Sequence, residues 1–147
     1  MFIGILCLIA VFVNGQEIKE SNGVYYQNGK PYTGVLNEYF SNGKIKTEIH
    51  LKNGLKDGTV NIYSESGRIM EIRAYKKNEM NGTWILYNEK GTKISVANYK
   101  NGLKNGRWQI WNDRGTLIYD LHYTNGKKTG TWRNYDDNGI LLNLRKY

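Results

Sequence analysis

Hydrophobic and polar positions repeat along this chain with a fixed period of 24 residues. In each period, a short stretch rich in aromatic and β-branched residues leads to a polar turn, and a second such stretch leads to another polar turn. In residues 82–105, for example, the first turn contains Gly91, the return stretch ends at Tyr99, and the second turn contains Asn101-Gly102. Such stretches favour β-strands, and Gly and Asn-Gly favour hairpin turns. The pattern therefore predicts one β-hairpin in every period.

Glycine marks the same period twice in each unit. Ten of the 17 glycines fall into two columns with 24-residue spacing, which we interpret as structural turn positions. The first column is Gly34, Gly58, Gly82, Gly106 and Gly130, and the second is Gly43, Gly67, Gly91, Gly115 and Gly139. Units therefore begin at residues 34, 58, 82, 106 and 130, and a partial unit covers residues 22–33.

The predicted fold is all-β, an antiparallel β-meander of repeated hairpins with about 11 strands. Each unit is expected to contact mainly its neighbours, because repeat arrays are nearly one-dimensional. Alternation along a strand places Trp84 and Leu86 on one face, and Ile85 and Tyr87 on the other. Neither face is purely polar, so the elongated, twisted sheet either rolls to bury one face or has it covered by a partner.

The first 13 residues form one uncharged apolar run, which is shorter than the ~20 residues that span a bilayer. An apolar run of this length at the N-terminus is typical of a secretory signal peptide. We interpret residues 1–15 as a signal peptide and residues 16–147 as a single repeat domain. The protein is then expected to be exported to the periplasm, the cell surface or the medium, and to be cytoplasmic only if residues 1–15 are not a signal. A buried N-terminal strand is the alternative.

Composition and motifs indicate a protein without catalytic chemistry. The 147 residues carry a net charge of +8 and one Cys, which excludes an intramolecular disulfide. His50 and His122 occupy one column three units apart, or ~30 Å along the sheet, so they cannot share a metal ion. No nucleophile motif, phosphate loop or metal-ligand spacing appears. We therefore predict no enzyme activity, no cofactor and no metal.

One aromatic column is a candidate binding surface. It would form a row with ~10 Å between members. Cross-strand packing is one interpretation, and a ligand platform is the other, because Tyr and Trp are favoured at interfaces. Its members are Tyr39, Tyr63, Tyr87, Trp111 and Tyr135.

One edge of the predicted sheet is basic, because all turns of one kind lie along one edge of a meander. A row of lysines suits anionic lipid or an acidic protein, but lysine also keeps edges soluble and unpaired. Nucleic acid is not expected as a partner. The candidate residues are Lys52, Lys56, Lys76, Lys77, Lys100, Lys104, Lys127 and Lys128.

The aligned units show the pattern Gly-Thr-Trp-x-x-Tyr, then a turn, Gly-x-x, and finally Tyr-Lys-Asn-Gly. Residues 82–105 and 106–129 carry it best, and residues 28–34 add Asn-Gly-Lys-Pro-Tyr-Thr-Gly. Over residues 22–147 the chain resembles the MORN-repeat variant of the bacterial YwqK-type antitoxin family. Asn78-Glu79 departs from the pattern where Asn-Gly is usual. The resemblance implies a scaffold for protein contacts or, as in some eukaryotic relatives, for membrane lipid.

The leading functional expectation is an exported, non-catalytic repeat scaffold that binds a protein or a cell-envelope component. Three alternatives stay open. The aromatic columns could bind carbohydrate or cell wall, because residues 23–30 also resemble choline-binding and cell-wall-binding hairpins. The lysine edge could bind an anionic membrane. An antitoxin role would require a toxin partner. The oligomeric state is not determined by the sequence.

Overall fold

A computed structural model describes residues 10–13 and 16–147 of the chain. All regular elements in this part are β-strands, and every strand pair is antiparallel. The prediction of an all-β meander of hairpins is therefore confirmed. Most of the predicted signal segment, residues 1–9 and 14–15, lies outside the described residues.

Four N-terminal strands form a small sheet of their own, in chain order. They are β1 (Ala10–Val13), β2 (Gln16–Ser21), β3 (Val24–Gln27) and β4 (Lys30–Pro31). The residues of the predicted partial unit therefore do not simply extend the repeat array, because β3 pairs with β2 and β4 instead.

The repeats form a long sheet of 13 strands, ten of which follow one another along a single path. These ten are β5 (Gly34–Tyr39), β6 (Ile45–Lys52), β7 (Leu55–Tyr63), β8 (Ile69–Lys76), β10 (Gly82–Tyr87), β11 (Lys93–Lys100), β13 (Gly106–Trp111), β14 (Leu117–Thr124), β16 (Thr131–Tyr135) and β17 (Leu141–Lys146). Three two-residue strands extend the hairpin ends: β9 (Glu79–Met80), β12 (Leu103–Lys104) and β15 (Lys127–Lys128). The sheet is open, because β5 and β17 end the path.

The described residues form 17 strands rather than about 11. Three of the additional strands, β9, β12 and β15, lie in the later connections between hairpins, and the other three, β1, β2 and β4, belong to the small N-terminal sheet. In one of these connections, β12 pairs with β11, and the regular strand pairing is then interrupted at Asn105. The Asn105 N–H donates to the Asn98 carbonyl at 2.9 Å. Pairing resumes in β13 with a shifted register, where Val96 faces Gln109. The sequence pattern marks this connection only as a polar turn.

Both turn types follow from their residues. At the second turn, Asn101 and Gly102 have φ values of 49° and 75°, as a two-residue type I′ turn requires. At the first turn, the Asn88 side chain accepts hydrogen bonds from the N–H groups of Lys90 at 3.0 Å and Thr92 at 2.9 Å. Gly91 supplies the positive φ of 81° that closes this turn. Adjacent units therefore keep the same hairpin geometry and the same alignment.

The main core lies between the small sheet and the first units of the long sheet. Ile18 of β2 and Leu36 of β5 are each 1% exposed. Ile49, Leu51 and Val60 complete this buried cluster. Backbone hydrogen bonds fix the small sheet here, since Tyr25 N–H donates to the Gly54 carbonyl at 2.8 Å and Gly54 N–H donates to the Tyr32 carbonyl at 2.7 Å. The small sheet therefore covers one face of the first units.

Candidate functional site: an aromatic ladder on one sheet face

A continuous stack of seven aromatic rings runs along one face of the later units. Successive ring centroids lie 4.9–5.4 Å apart, within the 4.5–7 Å typical of aromatic pairs. The rings tilt against one another, so edges approach faces. We call this side of the sheet the ladder face, and its stack consists of Tyr75, Trp84, Tyr99, Trp108, Tyr123, Trp132 and Tyr147.

The stack arises from diagonal contacts between neighbouring strands. Trp84 pairs directly with the small, buried Ala97, and its ring reaches Tyr99, two residues further along β11. Diagonal neighbours in a sheet are within reach of aromatic side chains. Two sequence columns that are separate in the linear pattern, Tyr75-Tyr99-Tyr123-Tyr147 and Trp84-Trp108-Trp132, therefore interleave into one ladder.

Each tryptophan of the stack also donates a hydrogen bond to the backbone at the point where the strand pairing between two hairpins is interrupted. The Trp108 indole N–H donates to the Asn98 carbonyl at 2.9 Å, and that oxygen also accepts the Asn105 N–H. Trp84 and Trp132 make the same contact, to the carbonyls of Ala74 and His122. The indole thus fixes the ring orientation and satisfies backbone groups where the strand pairing shifts.

Three lysines of the predicted basic edge lie over ladder rings. The Lys104 ammonium is 4.3 Å from the Trp108 centroid, and the Lys128 ammonium is 4.6 Å from that of Trp132. Lys56 lies 5.5 Å from Tyr75. Cations at these distances are attracted to the ring faces. The other five predicted residues, Lys52, Lys76, Lys77, Lys100 and Lys127, are exposed.

The aromatic column that the sequence suggests as a binding surface lies on the opposite face. Because side chains alternate along a strand, Tyr87 points to the face opposite its neighbour Leu86, and Leu86 shares the ladder face with Trp84. In the described part of the chain, no ring stacking joins the members of this column. Trp111 instead lies under the Lys93 ammonium at 4.9 Å, and Tyr39 is 55% exposed. A ligand role for Tyr39, Tyr63, Tyr87, Trp111 and Tyr135 stays a prediction.

Burial raises the pKa of Tyr99 and of Tyr123, because the ionised phenolate would lose its hydration. Both phenols therefore remain neutral around neutral pH. Across residues 10–13 and 16–147, no cluster of three or more His, Cys, Asp or Glu side chains could hold a metal ion. The ladder face thus offers rings, amides and cations for binding.

The ladder face is covered in the first units and open in the later ones. Leu36, Leu51 and Val60 occupy the same columns as the later rings, and all three are buried beneath the small sheet. From Tyr75 onward, every ring of the stack is partly or largely exposed. Leu86 and Ile110 on the same face are 39% and 37% exposed. The open half therefore presents a contiguous aromatic surface.

No helix within the described part of the chain has the length and apolar character needed to cross a membrane.

Comparison with known proteins gives a match to one protein-family model. No curated protein matches the chain. The sequence model of one protein family, the MORN repeat variant, matches residues 32–53, 80–101 and 128–147. Proteins use such repeats generally as modules for protein or membrane interaction. Successive matches start 48 residues apart, two periods of the hairpin array, and the chain therefore contains MORN-variant repeats at these three positions.

Proposed function

We propose that this protein is a non-catalytic scaffold that binds a protein partner through the open half of its ladder face. The observation that carries the proposal is the contrast between the two halves of that face. The first half is buried by the chain's own β-structure, whereas the second half presents partly exposed rings from Tyr75 to Tyr147. Surface Tyr and Trp that combine an apolar ring with a polar tip are favoured at protein interfaces.

Rigidity of the open half supports this proposal. The ladder rings are held by their neighbours at about 5 Å, and each Trp indole is hydrogen-bonded to the backbone. A surface that is already ordered loses little side-chain entropy when a partner binds. The covered half shows the kind of contact this face accepts, since Ile18 of the small sheet shares one buried cluster with Leu36 and Val60 of the array and is 1% exposed.

Site-specific photo-crosslinking in the native cell tests the proposal. A benzoylphenylalanine side chain placed at Leu86 or Ile110 on the ladder face should yield a defined protein adduct, identified by mass spectrometry. Val35 is the matched control, because it is 39% exposed, like Leu86, but lies on the opposite face. Adducts of equal yield from Val35, or no protein adduct from Leu86 and Ile110, would contradict the proposal.

A second candidate function is binding to an anionic membrane through the basic edge. Six of the eight lysines of that edge are exposed, and they favour it because each basic residue near an anionic surface contributes about 1 kcal/mol. Sedimentation with phosphatidylglycerol vesicles tests it. Binding should weaken steeply as salt is raised, and replacing Lys76 and Lys77 with Gln should weaken it further. Binding that is absent or independent of salt would exclude this candidate.

We also propose that the scaffold acts outside the cytoplasm, on the basis of the apolar run in residues 1–13. Mass analysis of the N-terminus of the native protein tests this directly. A mature chain that starts at Gln16 is the expected result, and an uncleaved N-terminus would favour a cytoplasmic role, including the antitoxin alternative. Carbohydrate binding stays a prediction, to be tested by sedimentation with purified peptidoglycan.

A further inference from the structure

The ladder face contains a groove of about 280 Å³ above β16, between β14 and β17. Direct cross-strand pairs build it, since Trp132 faces Arg145 and Asn134 lies between Tyr119 and Asn143. Aromatic and aliphatic surface alternates here with two side-chain amides and a guanidinium group. The groove therefore combines apolar walls with a small number of converging polar groups, as ligand sites commonly do.

The repeat itself shows what the groove lacks. Three units earlier along the sheet, in β8, Arg73 occupies the same repeat position as Arg145, and its Nη2 lies 2.6 Å from Oε2 of Glu71. The residue equivalent to Glu71 in β17 is Asn143, whose amide is neutral. Within the described part of the chain, no carboxylate pairs with Arg145. The same arginine position thus has an internal carboxylate in β8 and none in β17.

Further positive charge adjoins the groove. The Lys128 ammonium lies 4.6 Å from the Trp132 centroid and 5.2 Å from the Tyr147 centroid. Arg145 lies 5.3 Å from the same Tyr147 ring. Asp120 of β14 lies on the opposite face of the sheet and is already bonded to Arg107. An anionic group entering the groove would therefore meet two cations that have no internal carboxylate partner.

We propose that this groove binds a glutamate or aspartate side chain from an acidic, extended segment of the protein partner. The proposal rests on the proposed function and specifies the partner's chemistry. Arg145 would hold the carboxylate with paired N–H donors, as arginine commonly does. The Asn134 and Asn143 amides can add donors, while Trp132 and Tyr119 contact the methylene groups. A recess that takes one side chain suits a peptide better than the flat surface of a bilayer.

NMR titration of the full chain tests this proposal. The probes are a short, end-capped peptide in which Glu alternates with Val, and its counterpart with Gln in place of Glu. The Glu peptide should shift the Trp132 indole resonance and the side-chain amides of Asn134 and Asn143, and the Gln peptide should not. Arg145→Gln should weaken the Glu peptide about tenfold or more. Lys146→Gln, the same charge change on the other face of β17, should have little effect.

A second variant keeps the test decisive if Arg145→Gln perturbs the fold. Asn143→Glu recreates the Glu71–Arg73 arrangement and should abolish peptide binding by occupying Arg145 from within, while leaving the fold intact. Equal binding of the Gln peptide, or unchanged binding in both variants, would overturn the proposal. So would shifts of the groove residues by phosphatidylglycerol vesicles or inorganic phosphate alone. A ladder-face adduct that persists in Arg145→Gln would leave the proposed scaffold standing and remove only this site.

Discussion

Arg107 holds the carboxylate of Asp120 with two hydrogen bonds, Nε to Oδ1 at 2.7 Å and Nη2 to Oδ2 at 3.0 Å. The Asp120 side chain is 7% exposed, and the Arg133 guanidinium approaches it from β16 at 3.7 Å. This group therefore joins β13, β14 and β16 on the face opposite the ladder. The hydrogen bonds from Arg107, together with the positive charges of Arg107 and Arg133, lower the pKa of Asp120.

Replacing Asp120 with Asn should destabilise the fold by about 1–3 kcal/mol at neutral pH, because the bidentate pair is lost from a buried position. The pH dependence has a definite sign. A folded-state pKa below the unfolded value adds stability that is complete above the unfolded pKa and is lost as pH falls through the folded pKa. Urea denaturation at about pH 6 and about pH 3 should therefore show the wild type and Asp120→Asn converging on acidification.

Glu65→Gln is the control for this charge change, because the Glu65 side chain is exposed in a turn. It should change the free energy of unfolding by no more than about 0.5 kcal/mol. If the stability difference between the wild type and Asp120→Asn stayed constant down to low pH, the inferred pKa shift of Asp120 would be wrong.

The indole hydrogen bond of Trp108 should contribute measurably to stability. Trp108→Phe keeps an aromatic ring in the ladder but removes the N–H donor to the Asn98 carbonyl. The expected loss from the hydrogen bond is about 0.5–1.5 kcal/mol, toward the lower end because the Asn105 N–H still donates to that oxygen. The midpoint of urea denaturation, followed by circular dichroism, measures it.

Trp111→Phe provides the comparison for the ladder. Trp111 belongs to the column on the opposite face, and the Lys93 ammonium lies over its ring. The same chemical change should therefore lower the denaturation midpoint less at Trp111 than at Trp108. A larger loss at Trp111 would indicate that the ladder is not the more important of the two aromatic sets for stability.

The period of the sequence predicts the hairpins correctly, because turn residues and strand propensity are local properties. It does not predict the ladder, since the contact of Trp84 with Tyr99 depends on the cross-strand register and on the small Ala97 between them. The Tyr99 and Trp84 columns are as regular in the sequence as the Tyr87 column, so spacing alone does not show which of them stack. Regular spacing identifies the residues of one column, but it does not show which columns have side chains in contact.

The packing of the small sheet over the first units cannot be predicted from local sequence patterns either. The Tyr25 N–H bonds to Gly54, which is distant in sequence, and no periodic feature encodes that contact. One clue was present, because the columns change from aromatic to aliphatic at Leu36, Leu51 and Val60. Aliphatic side chains in those positions are consistent with burial, but the residues that bury them could not be named from the sequence.

Gly54 and Gly102 allow the docking of the small sheet to be tested with matched variants. Both follow Asn in a type I′ turn, with φ values of 77° and 75°. Replacing either with Ala should cost about 1–2 kcal/mol for the left-handed conformation. Only at Gly54 would the new Cβ meet other atoms, 2.6 Å from Val24 Cγ1 and 2.9 Å from the Tyr25 carbonyl oxygen. At Gly102 it would have no heavy atom within 4 Å.

Gly54→Ala should therefore lose about 1–3 kcal/mol more than Gly102→Ala, because overpacking adds to the backbone strain. The small sheet must also move away from the turn, so amide hydrogen exchange of Tyr25 and Tyr32 should accelerate in Gly54→Ala and remain slow in Gly102→Ala. Chemical denaturation and hydrogen exchange followed by NMR measure the two effects. Equal losses in both variants, with Tyr25 and Tyr32 still protected, would mean that the turn at Gly54 does not hold the small sheet on the ladder face.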